Sequence, residues 1–220
     1  MKKLLSLFLI LVMVLAFCGC DSDTNSKNDS NKGSNGSGSN VLDFSLGTTT
    51  SDKYTNSAIG LSFKLPDGWT FYTQEQILQL NQLTSNMVSE EIAEALENAN
   101  VVYDMFAQEL TTGSSINVVL EKQSAEIIET LDIKNALESQ VPTIKATYTG
   151  IGYTDINTEY QKVTLDGKEF DALYLTAKLN GTDMYCYAIC YKTTSRLVNV
   201  TVCTMGTNNL DTLLECFTLI

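Results

Sequence analysis

The sequence contains no histidine, which removes the commonest general base near neutral pH and the commonest metal ligand together. Most familiar catalytic layouts fall with it. Positive charge is also scarce: 14 Lys and Arg stand against 26 Asp and Glu, for a formal charge of −12. Such a polyanion is repelled by nucleic-acid phosphates and by anionic lipid surfaces, so no nucleic-acid partner is expected. The apolar run Leu4 to Phe17, broken only by Ser6, falls short of the about 20 residues that span a bilayer. From Asp21 to Asn40 no apolar side chain occurs at all, so nothing there repays the entropy of ordering and the stretch is expected to be disordered.

What is present begins with an export signal. Met1-Lys2-Lys3 is a positive start, and the apolar run follows it directly, which is the layout of a signal peptide. Gly19 then precedes Cys20, a small residue before a cysteine, and the site resembles the bacterial lipobox, with Phe17 where that pattern prefers an aliphatic residue. Cys18 lacks such a neighbour, because Phe17 stands before it. The resemblance implies cleavage after Gly19 and a diacylglycerol thioether on Cys20, whose acyl chains hold the protein to the outer face of a cell membrane. The rival reading is an ordinary secretory signal that releases a soluble protein. Cleavage removes Lys2, Lys3 and no acid, leaving 12 basic and 26 acidic residues and a charge of −14.

The chain therefore divides into a lipoprotein signal peptide over 1–19, lipidated Cys20 with a disordered tether over 20–53, and one globular domain over 54–220. In that domain Leu61-Ser62-Phe63-Lys64-Leu65 alternates strictly ahead of Pro66-Asp67-Gly68, which reads as a strand and a turn. Thr73 with Gln76 forms a capping-box pattern, and Ser89-Glu90-Glu91 opens a second helix. Strands are expected over 101–110 and 115–122, then a helical face from Ile133 to Tyr148 that Pro142 should kink or restart. Asp166-Gly167 and Asn180-Gly181 are hairpin turns, so the last third reads as a meander with strands near 158–165, 168–179, 183–192 and 196–205, closed by a helix around Leu210 to Phe217. In the third of these strands Tyr185, Tyr187, Ile189 and Tyr191 alternate with Cys186, Ala188 and Cys190. Both faces carry material for burial, which predicts an α+β fold, an α/β/α sandwich whose mainly antiparallel sheet has helices on both sides.

Tyr54-x-Asn56, Ile59-Gly60-Leu61-x-Phe63-x-Leu65-Pro66 and Gly68-Trp69 resemble the opening of the PsbP-like fold, and the order of later elements agrees over about residues 54–220. That group includes PsbP subunits of photosystem II, Ran-binding Mog-type proteins and many bacterial lipoproteins. Its varied roles imply an α/β/α sandwich but no single activity, and the metal-contacting histidines of some branches have no counterpart here.

Each candidate site has a plainer reading beside it. Cys186 and Cys190, four strand residues apart, lie too far from each other to bridge, whereas Cys186 could stand opposite Cys203 across the turn near Thr193 to Ser195 and pair with it. Buried free thiols are the favoured reading. The tyrosines at 185, 187 and 191 read as core rather than as a ligand groove, and so does Trp69. Ser114-Ser115 belongs to a hairpin turn, with no histidine to activate it. Glu90, Glu91, Glu94 and Glu97 make a solvated helix face. No catalytic residue, metal or cofactor is expected. The functional expectation is a membrane-anchored, extracytoplasmic, non-enzymatic domain that binds a small ligand or an envelope protein, or assists assembly. The alternative is a hydrolase whose site of Asp and Glu is assembled by folding.

Overall fold

The computed structural model describes residues 46–84 and 87–220; Cys20, the signal segment and most of the tether lie outside them. Eleven strands form two antiparallel sheets among the described residues. The small sheet joins β1 (Thr48–Thr49), β2 (Lys53–Asn56), β3 (Leu61–Lys64) and β11 (Phe217–Leu219) in that order. The large sheet has seven strands. Its order is β4 (Trp69–Phe71), β5 (Val101–Glu109), β6 (Ser115–Lys122), β10 (Arg196–Met205), β9 (Thr182–Lys192), β8 (Lys168–Leu179) and β7 (Thr154–Leu165).

Local chemistry explains the edges of many elements. Helix α1 (Gln74–Leu80) starts at Thr73, whose hydroxyl accepts from the Gln76 N–H at 3.3 Å while Gln76 Oε1 accepts from the Thr73 N–H at 2.8 Å, so two orphan donors of the first turn are satisfied. Helix α2 (Ser89–Asn98) ends where Lys122 Nζ and an Arg196 guanidinium nitrogen reach the Glu97 carbonyl, cations at the negative end of the helix dipole. At the two-residue hairpin turns Asp166 and Gly167 have φ of 46° and 77°, and Asn180 and Gly181 have 51° and 83°. Positive φ at both positions matches the right-handed twist of the flanking strands.

Two cores follow from the alternation of the large sheet. Tyr187, Ile189, Val198, Val200, Val118 and Ile116 point to one side and pack against Tyr54, Leu61, Phe63 and Phe217 of the small sheet and Leu210, Leu213 and Leu214 of α5 (Leu210–Leu214). Met184, Cys186, Ala188, Cys190 and Leu197 point to the other side. There they meet Ile128 of α3 (Ala125–Thr130) and Ile133, Leu137, Ile144 and Tyr148 of α4 (Ile133–Gly150). Leu137 is 1% and Ile144 2% exposed, and burying each such side chain stabilises by roughly 1.5–3 kcal/mol.

The fold is mixed α and β and dominated by antiparallel sheets. Helix residues reach both faces, but on one of them Leu96 of α2 and the leucines of α5 share the cover with a second sheet that the sequence did not announce. Alternation along β9 reports that both faces are buried and is silent on what buries them. The expected helix around 210–217 is shorter, since Phe217 leaves it to pair with Phe63 in the small sheet. Pro142 does not restart α4, which runs from Ile133 to Gly150 with the proline inside. Its buried stripe on both sides of Pro142 outweighs the one backbone bond that a proline cannot donate.

Candidate functional site

Asp104 is the residue around which the site is built. Strand β5 shifts register against β6 between Tyr103 and Met105, so Asp104 is the extra residue of a β-bulge and is re-aimed toward the small sheet. Its carboxylate is buried, and both of its oxygens accept hydrogen bonds. Oδ1 accepts from the Gly47 N–H at 2.7 Å, and Oδ2 accepts from the Tyr54 hydroxyl at 2.5 Å and from Asn56 Nδ2 at 2.7 Å. Tyr54 and Asn56 alternate on β2 with Thr55 between them, which brings both side chains to the same face of the strand. The Tyr-x-Asn pair read from the sequence thus ties the small sheet to the bulge of the large one.

Burial pushes the Asp104 carboxyl above the usual carboxylate range, against the three donors and the more distant Arg196, which favour the charged form. Beside it opens a groove of about 570 Å³. Its walls are Leu46, Thr48 and Thr49 at the start of the domain, Tyr72, Ile77 and Leu78 around α1, Ile92 of α2, and Met105 and Phe106 of β5. The Tyr72 and Phe106 rings lie 4.3 Å apart and brace one wall. Helix α1 is held to the sheet edge by Asn81, whose Oδ1 accepts from the Tyr103 N–H and whose Nδ2 donates to the Tyr103 carbonyl, each at 2.8 Å. An apolar cleft of this size with one buried acidic group is the usual form of a small-ligand site.

A second buried carboxyl, Glu121, does not join Asp104. It neighbours Cys190 on the helix-covered side of the large sheet, whereas Asp104 faces the small sheet. Burial raises Glu121 to about 8, with a bond from Gln123 Nε2 at 2.7 Å opposing the rise. The two carboxyls therefore form no acid–base pair. Among the described residues no group of three or more Cys, Asp and Glu is placed to hold a metal, and no helix is long and apolar enough to cross a membrane.

The other sequence candidates are placed as follows. Cys20 lies outside the described residues. Cys186 and Cys203 are direct partners across β9 and β10, and both are present as free thiols, as are Cys190 and Cys216. Tyr185, Tyr187 and Tyr191 are half-buried against the inter-sheet core, with Tyr187 on Tyr174 at 5.2 Å and Tyr191 on Phe170 at 5.2 Å. Trp69 also packs there. Ser114 Oγ lies 2.7 Å from the Thr112 hydroxyl and accepts from the Met205 N–H at 3.0 Å, which fixes the hairpin. Thr112 in turn bonds Glu109, whose carboxylate is held down at about 2, chiefly by that hydroxyl. Sequence reasoning passed over Asp104. Its one signal was a charged residue inside the otherwise apolar and aromatic run Val101 to Phe106.

No protein-family model matches the chain, and no curated protein matches it by sequence. Among solved structures the chain is similar to cyanobacterial PsbP (CyanoP) from Synechocystis, with 14% identity over 84% of this chain and 98% of that one, at a TM-score of 0.45. It is also similar to a protein from Bacteroides thetaiotaomicron, with 8% identity over 78% of this chain and 49% of that one, at a TM-score of 0.39.

Proposed function

We propose that the chain is a bacterial lipoprotein, fastened through Cys20 to the outer face of the membrane, whose PsbP-like domain binds a small ligand or a partner protein without chemistry in the groove beside Asp104. The observation that carries this reading is the groove itself: apolar walls around one buried carboxyl whose oxygens are already occupied by Gly47, Tyr54 and Asn56. Such a carboxyl shapes and anchors a pocket floor. Both of its oxygens already accept hydrogen bonds from the protein, which favours a positioning role. The anchor rests on the Gly19-Cys20 junction behind Lys2, Lys3 and the apolar run, and the polar stretch 21–40 supplies a spacer on the order of 25 Å long. The PsbP-like assignment, with the α/β/α sandwich of that group, rests on the motif from Tyr54 to Trp69 and the order of elements.

The alternative, a carboxylate hydrolase, would centre on Asp104 as the acid and would need a second carboxylate brought within about 5–9.5 Å of it. The test has two arms. Intact-mass analysis of the N-terminal peptide from native membranes should show acylated Cys20, and crosslinking in intact cells should enrich a partner over a Cys20→Ser control. An unacylated N-terminus, or product found free in the culture fluid, overturns the anchor. No enrichment over the control overturns the surface role.

A further inference from the structure

We propose that Cys186 and Cys203 form a cross-strand disulfide site that closes when the domain meets an external disulfide. The two residues are direct partners in the antiparallel register of β9 and β10, and residues so placed have Cα atoms about 4.5–5.5 Å apart, inside the window a disulfide requires. Both side chains point to the α4 side of the sheet, where they lie beside Tyr148 and Tyr153. Cys203 is also the largest influence raising the Cys186 thiol, as expected of neighbouring sulfurs. No other described cysteine competes. Cys190 sits opposite Asn199, and Cys216 donates to the Thr212 carbonyl at 3.7 Å.

The two thiols differ in access, which orders the reaction. Cys203 is half-buried and Cys186 is fully buried, and the neighbouring Cys203 together with burial holds the Cys186 thiol well above the usual range. Cys203 loses its proton and attacks an external disulfide, giving a mixed disulfide and one released thiolate. Cys186 then loses its proton and attacks the Cys203 sulfur, releasing the second thiolate and leaving the S–S bond between the strands. The two electrons and two protons given up by the pair end on the external disulfide, which becomes two thiols. This inference stands on strand register and is independent of the groove beside Asp104.

The test is exposure of the folded, purified full chain to oxidised glutathione, followed by non-reducing peptide mapping. The expected result is a linked pair of peptides joining Cys186 to Cys203, reversed by dithiothreitol. Cys186→Ser should trap one glutathionyl group on Cys203, and Cys203→Ser should leave Cys186 unmodified. The proposal is overturned if the oxidised wild-type chain keeps both thiols free, or if the linkage joins other cysteines or two molecules. The wild-type map decides the matter even where a variant fails to fold.

Discussion

The two faces of the large sheet bury their acidic groups in opposite ways. On the face toward the small sheet, Asp104 is met by a backbone amide, a phenol and a side-chain amide that satisfy both of its oxygens. On the helix-covered face, Glu121 keeps one oxygen without a partner, and both polar atoms of the Asn199 side chain are likewise unmatched. A satisfied buried group specifies how two layers fit, whereas a half-satisfied one costs stability and leaves chemistry in reserve. The Asp104 face has its own unmatched atom, the buried Thr204 hydroxyl, but the two faces differ in the rest of their lining. The Asp104 face holds tyrosines with defined polar contacts, such as Tyr191 donating to the Ile59 carbonyl at 3.1 Å. The Glu121 face holds the free thiols Cys186 and Cys190.

The comparison breaks most sharply at Asp104. Asp104→Ala strands three donors and should cost about 3 kcal/mol or more in urea unfolding, while Tyr54→Phe, which removes one of the three, should cost about 1–2 kcal/mol. A double-mutant cycle with Asp104→Asn should show coupling between them. If Asp104→Ala is no worse than an ordinary surface substitution, the stapled-face description fails.

Oxidation of Cys186 and Cys203 comes next. Closing a loop of this length stabilises by up to about 3 kcal/mol, less any strain in the native pair, and the gain should vanish in Cys203→Ser. Unchanged melting of a chain shown to carry the linkage would mean that strain cancels it.

Glu121 should produce a smaller, pH-dependent effect. Its folded value near 8 lies above its ordinary 4.5, so between those values the native state binds the extra proton and stability falls as pH rises. Asp104 adds a slope of the same sign. Glu121→Gln should therefore flatten part of that slope and, at pH 8.5, exceed wild type by on the order of 2 kcal/mol. Thermal melts from pH 5 to 9 would show it; an unchanged slope would place Glu121 in a wetter setting than its burial indicates. The smallest effect is expected at the sheet edge, where Asn81→Ala should cost about 1 kcal/mol by freeing the Tyr103 backbone.

Which parts of this arrangement were legible follows from the range of the interactions. The capping box of Thr73 and Gln76, the strand at Leu61, and the turns at Asp166-Gly167 and Asn180-Gly181 are written in neighbouring residues, and the structure has them where the sequence puts them. Strands β1 and β11 were not legible. β1 has two residues and β11 three, and β11 pairs with β3 from the far end of the chain, so no local pattern announces them. That is also why helices alone were expected on the face that the small sheet shares with α2 and α5. The register of β9 and β10 was legible enough to set Cys186 against Cys203, because a short turn fixes it. The site was less so: Tyr54 and Asn56 stood out as a motif, but Asp104, which gives the motif its purpose, is a single charge in an apolar strand. Only the fold brings the three together.

The most direct measurement is site-specific photocrosslinking from Ile77 in the groove wall, carried out on the protein in intact cells, with exposed Ser139 of α4 as the control position. The account predicts one adduct from Ile77, absent from Ser139 and weakened at least tenfold when Ile92→Arg fills the groove with a charge. Equal labelling from both positions, or an Ile77 adduct indifferent to Ile92→Arg in a chain that still melts cooperatively, would contradict it.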